Sequence, residues 1–227
     1  MNRFYIIMSA ITFALICVFS FNESNSRDNT ANATNVKSKY TVIIDAGHGG
    51  KDAGTVGTDG TAEKGINLSI ALILRDYLMV SGINAVLIRD SDRAFYPEGT
   101  DTTRSDLYNR LDFVNSIPDS VLISIHQNHF DNESEWGTQI WYSANNPESK
   151  IIADKILNNI KEMLQPDNKR ENKVSDDSYY LLYKAEVPSI MIECGFMSNR
   201  EENKRLQDIT YQNKIAYMIL TGICTEV

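Results

Sequence analysis

The stretch Tyr40-Thr-Val-Ile-Ile-Asp45-Ala-Gly-His48-Gly-Gly50 ends a β-rich apolar run in a carboxylate and a glycine-flanked histidine. It reads as a buried strand that delivers polar groups to its own C-terminal edge. In open α/β sheets ligands collect at such edges, because the strands are rigid and the loops that follow are free to carry chemistry. Gly47, Gly49 and Gly50 allow positive φ and leave room beside the imidazole of His48.

The period then changes. From Glu63, apolar residues Ile66, Ile70, Leu74 and Leu78 recur at helical spacing, and Gly82 follows as a stop. Asn84 to Arg89 is the next short strand, so strand, helix and strand form a crossover unit whose two strands should be parallel neighbours. Asp90 to Thr102 is a long polar loop with Pro97 and Gly99, a length that suggests a surface role near a site. A helix is predicted from about Thr103 to Ser116, on which Arg104 and Arg110 read as surface charge rather than as ties to loops.

The strand Val121 to His126 repeats the first, an apolar run ending in histidine. Further along, the pattern gives a strand over Gly137 to Tyr142 and a helix over Pro147 to Leu164 with proline at its start. Ser189 to Glu193 follows as a buried strand ending in a carboxylate, then a closing helix over about Asp208 to Cys224. There is no internal repeat and no sustained heptad. The reading is an α/β fold in one domain.

Residues 1–21 read as a signal peptide or membrane anchor, since Phe4 to Phe21 is uncharged and almost wholly apolar. It would be ~27 Å long as a helix. Residues 22–39, polar and rich in Asn, Ser and Thr, read as a flexible linker, and residues 40–227 as the catalytic domain. Of three cysteines, Cys17 lies in the leader, and Cys194 and Cys224 make no disulfide framework or metal knuckle. A net charge of −8 argues against a nucleic-acid partner.

Three apolar strands therefore end in His48, His126 and Glu193, while Glu63 sits where a loop turns into a helix. Two imidazoles and one carboxylate are the ligand set of a catalytic zinc with a fourth position for water. Either carboxylate could be the ligand and the other the base; spacing alone does not assign them.

Asp45-Ala-Gly-His48-Gly-Gly with Asp52 and Gly54, then Glu63, Ser124-Ile-His126-Gln-Asn128, and Val187-Pro-Ser-Ile-Met-Ile-Glu193-Cys-Gly-Phe196 with Asn199 follow in order along the chain. In this the chain resembles the zinc-dependent N-acetylmuramoyl-L-alanine amidases of the type-3 amidase family. The resemblance implies that His48, Glu63 and His126 bind Zn2+ and that Glu193 is catalytic. It implies a mixed, mostly parallel sheet of about six strands flanked by helices. It also implies hydrolysis of the amide between N-acetylmuramic acid and L-alanine in peptidoglycan. By its length, single apolar leader and Glu-Cys-Gly-Phe variant the chain is similar to the sporulation subgroup that prepares spore cortex for germination. The protein would then be exported, acting on the outer side of the cytoplasmic membrane or in the forespore intermembrane space. An accessory protein, for example a sporulation lipoprotein, would aid its activity.

His129, after the second zinc-type histidine, reads as a surface or packing residue, and Cys194 as a small buried hydrophobe. The alternative function is a partner-dependent or inactive peptidoglycan-binding or regulatory module, against which the completeness of the four-residue set speaks. A different zinc hydrolase, such as a deacetylase or peptidase, is a third reading, although the His-Glu-x-x-His helix of many zinc peptidases is absent. Dinucleotide binding fails at the third glycine of its fingerprint.

Overall fold

The computed structural model describes residues 40–96 and 105–224. The leader and linker read over residues 1–39 lie outside the described residues, as do Pro97, Gly99 and Arg104. Six strands pair in the order β2-β1-β3-β6-β4-β5. These are β1 (Thr41–Ala46), β2 (Ala85–Leu87), β3 (Ser120–Asn128), β4 (Gln139–Tyr142), β5 (Lys173–Val174) and β6 (Ser189–Phe196). Every pairing is parallel except β4 with β6. This is the mixed, mostly parallel sheet that the sequence resemblance implies, and β1 and β2 are parallel neighbours as the crossover pattern requires.

Both faces are covered, which is why the strands are apolar runs rather than alternating ones. One face packs Val42, Ile44, Ile123, Ile125 and Ile192 beneath α1 (Glu63–Val80), α3 (Pro147–Met163) and α6 (Ile209–Cys224). The other packs Ile43 and Leu122 beneath α2 (Asp106–Asn115) and α4 (Tyr180–Lys184). The short α5 (Arg200–Leu206) follows β6.

The helix ends follow local chemistry. Asn146 caps α3 by accepting from the Glu148 N–H, with Pro147 in the first turn, and Asn199 caps α5 by accepting from Glu201 and Glu202. Helix α1 has no such cap: Ala62 precedes it, and its first residue is the buried Glu63. A carboxylate is favoured by the dipole there, but this side chain turns back to the sheet edge.

Arg110 corrects a sequence expectation. It is 3% exposed and pairs with Asp45 on β1, so it is not surface charge. Strand β5 and helices α4 and α5 were not anticipated. With two, five and seven residues they are too short for periodicity to register.

Candidate active site

The C-terminal ends of β1, β3 and β6 lie side by side. Asp45 is in register with Ser124, and His126 with Glu193. Beyond β1 the chain turns sharply: His48 adopts φ 62°, a left-handed conformation that side chains other than glycine rarely take. Two buried arginines hold this turn by its carbonyls. Arg110 donates to the oxygens of Ala46 (3.0 Å) and His48 (2.7 Å), while Arg89 donates to Ala46 (2.7 Å) and Gly47 (2.9 Å). Asp45 in turn accepts from Arg110 and from the Ser124 hydroxyl (2.7 Å). Burial raises its pKa, but Arg110, His126 and the Ser124 hydrogen bond together outweigh that and keep the carboxyl below its ordinary value.

Glu63 sits between the two imidazoles, 3.3 Å from His48 Nε2 and 3.1 Å from His126 Nδ1. Its oxygens also accept from the backbone N–H of Thr55 and Gln127, at 2.9 Å each, and from Asn67 Nδ2 at 3.0 Å. Burial disfavours its charge, yet the bonds to His126 and His48 hold it ionised well below the usual carboxylate range. Conversely, burial lowers the His48 pKa, but Glu63 and Asp52 together raise it to about 9. Asp52 Oδ2 lies 2.7 Å from His48 Nδ1, which leaves Nε2 turned to Glu63. Glycines make the crowding possible. A Cβ on Gly47 would lie 2.1 Å from His126 Nε2, and one on Gly54 would lie 2.5 Å from Glu63 Oε2.

One ligand-type atom each from His48, Glu63 and His126 falls within 4.8 Å of the others. Two nitrogens and one carboxylate oxygen are a donor set that suits a borderline divalent cation better than magnesium. Glu193 stands beside this cradle without joining it. Its Oε2 is enclosed and has no hydrogen-bond partner among the described residues. Burial raises its pKa to about 7, against the opposing pull of His126. A cleft of about 530 Å³ opens over Glu193 and His48, walled by Leu107, Tyr179 and Met191. Tyr179 is stacked on Trp141 at 4.5 Å.

The structure thus brings His48, Glu63, His126 and Glu193 to one edge. Cys194 points away, buried in the core under α1, α3 and α6, with burial pushing its thiol far above the ordinary value. His129 is exposed. Sequence reasoning missed Asp52, Arg89, Arg110 and Tyr179 as site-forming residues. Only Asp52 carried a signal, its fixed spacing from His48.

The fold and this edge are those of an α/β hydrolytic enzyme whose polar groups come from two strand ends, a turn and a helix start. Over residues 42–225 the chain belongs to the N-acetylmuramoyl-L-alanine amidase family, type 3, and is a peptidoglycan amidase. It is similar to the germination-specific N-acetylmuramoyl-L-alanine amidase of Bacillus subtilis, with 32% identity over 80% of this chain and 77% of that protein. Among solved structures it resembles the CwlD amidase from Clostridioides difficile in complex with the GerS lipoprotein. The TM-score is 0.76 at 39% identity, covering 82% of this chain and 97% of that one. AmiC2 of Nostoc punctiforme is also similar, with a TM-score of 0.71 at 33% identity over 83% and 97% of the two chains.

Proposed function

We propose that the protein is a zinc-dependent amidase in which His48, Glu63 and His126 hold the metal and Glu193 is the general base. One observation carries this reading: a three-donor cradle lies next to a separate carboxylate with a free, enclosed oxygen and a pKa near 7. Zinc bound there would polarise the amide carbonyl and acidify water. Glu193 accepts the proton of the attacking water and passes it to the alanine nitrogen as the C–N bond breaks. Asp52 fixes the His48 ring through Nδ1, which keeps Nε2 free for the cradle. The cleft walled by Leu107, Tyr179 and Met191 receives the stem peptide.

The biological setting we assign is spore cortex modification for germination. Support comes from similarity to the germination-specific enzyme of Bacillus subtilis. An accessory lipoprotein is the proposed partner, in line with the complex formed by the CwlD relative. Residues 1–21 would export or anchor the chain, residues 22–39 would tether it, and residues 40–227 would act outside the cytoplasmic membrane or between the forespore membranes. Among the described residues no helix is long and apolar enough to cross a membrane. A partner-dependent module is the second reading, favoured by the same complex.

The test is mass spectrometry of peptidoglycan incubated with the protein and zinc, with stem peptides bearing a free L-alanine amine as the product. Glu193→Gln should keep zinc and lose turnover, whereas His126→Ala should lose both. Wild-type cleavage by Glu193→Gln would overturn the role of Glu193. Metal-free protein that gains zinc and activity only with a partner present would select the second reading.

A further inference from the structure

The turn between β3 and β4 exposes two aromatics, Phe130 and Trp136, and holds the backbone at Trp136 from both sides. Trp136 is 37% exposed. Its carbonyl accepts from Arg170 Nε at 2.7 Å, and the N–H of Gly137 donates to both oxygens of the buried Glu202 at 3.0 Å. Gly137 takes φ 93°, where a Cβ would come within 2.9 Å of the Asn168 side chain. Arg170 also pairs with Glu135 and lies 4.3 Å over the ring of Phe196. These bonds hold the backbone on which the indole is mounted, so the Trp136 Cα is fixed at the rim of the turn.

There is space on either side of Trp136. A cavity of about 580 Å³ lies between it and the turn Asp167 to Arg170. A second, of about 300 Å³, lies between it, Pro166 and the first turn of α5. Asp167 borders both cavities. Asp167 and Lys169 are exposed, and no hydrogen bond engages their side chains among the described residues. The pair of cavities is at the catalytic edge, displaced toward α3 and α5. Gln139 is paired with Glu193, and Trp136 stands three residues ahead of it, level with Phe196 at the end of β6. At ~3.3 Å per residue the offset is roughly 10 Å.

We infer that Trp136 is a platform for a sugar ring of the glycan strand, a subsite for an N-acetylated pyranose outside the cleft where the amide is cut. A pyranose has an apolar C–H face and a polar rim. An exposed indole on a held backbone, with a carboxylate and an ammonium at its border, matches that pattern, because a large aromatic supplies area at little entropy cost while a few placed polar groups orient the ligand. A peptide anchor would call for a pocket closed by apolar walls, whereas these cavities are bordered mainly by polar side chains. The inference rests on the amidase function, which supplies a sugar polymer next to the scissile amide.

The test uses the full chain with zinc and a short N-acetylglucosamine oligomer, which has no lactyl amide to cut. Calorimetry should show saturable binding that weakens about tenfold or more in Trp136→Ala and survives in Trp136→Phe. On long glycan strands Trp136→Ala should lose a similar factor in kcat/KM through KM, while a single-sugar muramoyl-peptide is cut at the wild-type rate. Failure of the wild type to bind the oligomer, or equal losses on both substrates, would overturn the subsite. If the oligomer binds and neither substrate is cut, the subsite stands and the amidase function falls.

Discussion

Arg110→Met isolates the group that holds the His48 turn in place. Arg110 and Asp45 are each 3% exposed, and the guanidinium donates to Asp45, Asp106, Ala46 O and His48 O. Removing one partner of a buried pair strands the other charge, at a loss of ~3–5 kcal/mol. For a domain of this size each kcal/mol lowers Tm by ~2–4 °C, so the variant should melt roughly 6–20 °C lower at neutral pH. The loss has a signed pH dependence. In the wild type the Asp45 pKa is depressed, so its stabilisation is present above the unfolded value and is lost as pH falls through the folded one. Without Arg110, burial is opposed only by His126 and the Ser124 hydrogen bond, so that pKa rises, and the penalty is largest at neutral pH and shrinks as pH falls toward the unfolded carboxylate value. Urea unfolding across pH measures it, and Asp45→Asn combined with Arg110→Met should recover part of the loss. A single-variant loss under ~1 kcal/mol, the size for an exposed pair, would refute the reasoning.

Three further outcomes follow from the cradle. Gly47→Ala places a methyl 2.1 Å from His126 Nε2 and should abolish zinc retention and activity while leaving a folded domain, read by metal analysis beside circular dichroism. Asp52→Asn should weaken zinc binding by ~10–100-fold without moving Tm much, checked by competition with a chelator. Glu193 must be ionised to accept a proton, so kcat should fall on the acid side; its pKa near 7 without metal should drop once a cation is bound nearby. An acid limb centred above 7 would assign that titration to another group.

The parts of the fold carried by long apolar runs were readable in advance. The apolar runs of β1, β3 and β6 lead into His48, His126 and Glu193, and α1, α3 and α6 show helical spacing long enough to stand out. So were the four residues of the edge, because each terminates such a run or opens a helix. Arg110 was misread because its partner Asp45 lies 65 positions away, and one helical residue shows nothing of what it will face. The antiparallel pairing of β4 with β6, and the meeting of Trp141 with Tyr179, depend on register that local sequence does not encode.

Strand β6 is hydrogen-bonded along both edges, to β3 and to β4, with Ile190 and Ile192 fully enclosed. Amides in such a strand exchange with solvent only when the whole domain opens, whereas a helix of five residues such as α4 exchanges by local fraying. The cleft therefore has two clocks: Glu193 rides on a slow element, and Tyr179 sits at the start of a fast one. Protection gained when substrate binds should accumulate in residues 178–184 and leave 189–193 as slow as before.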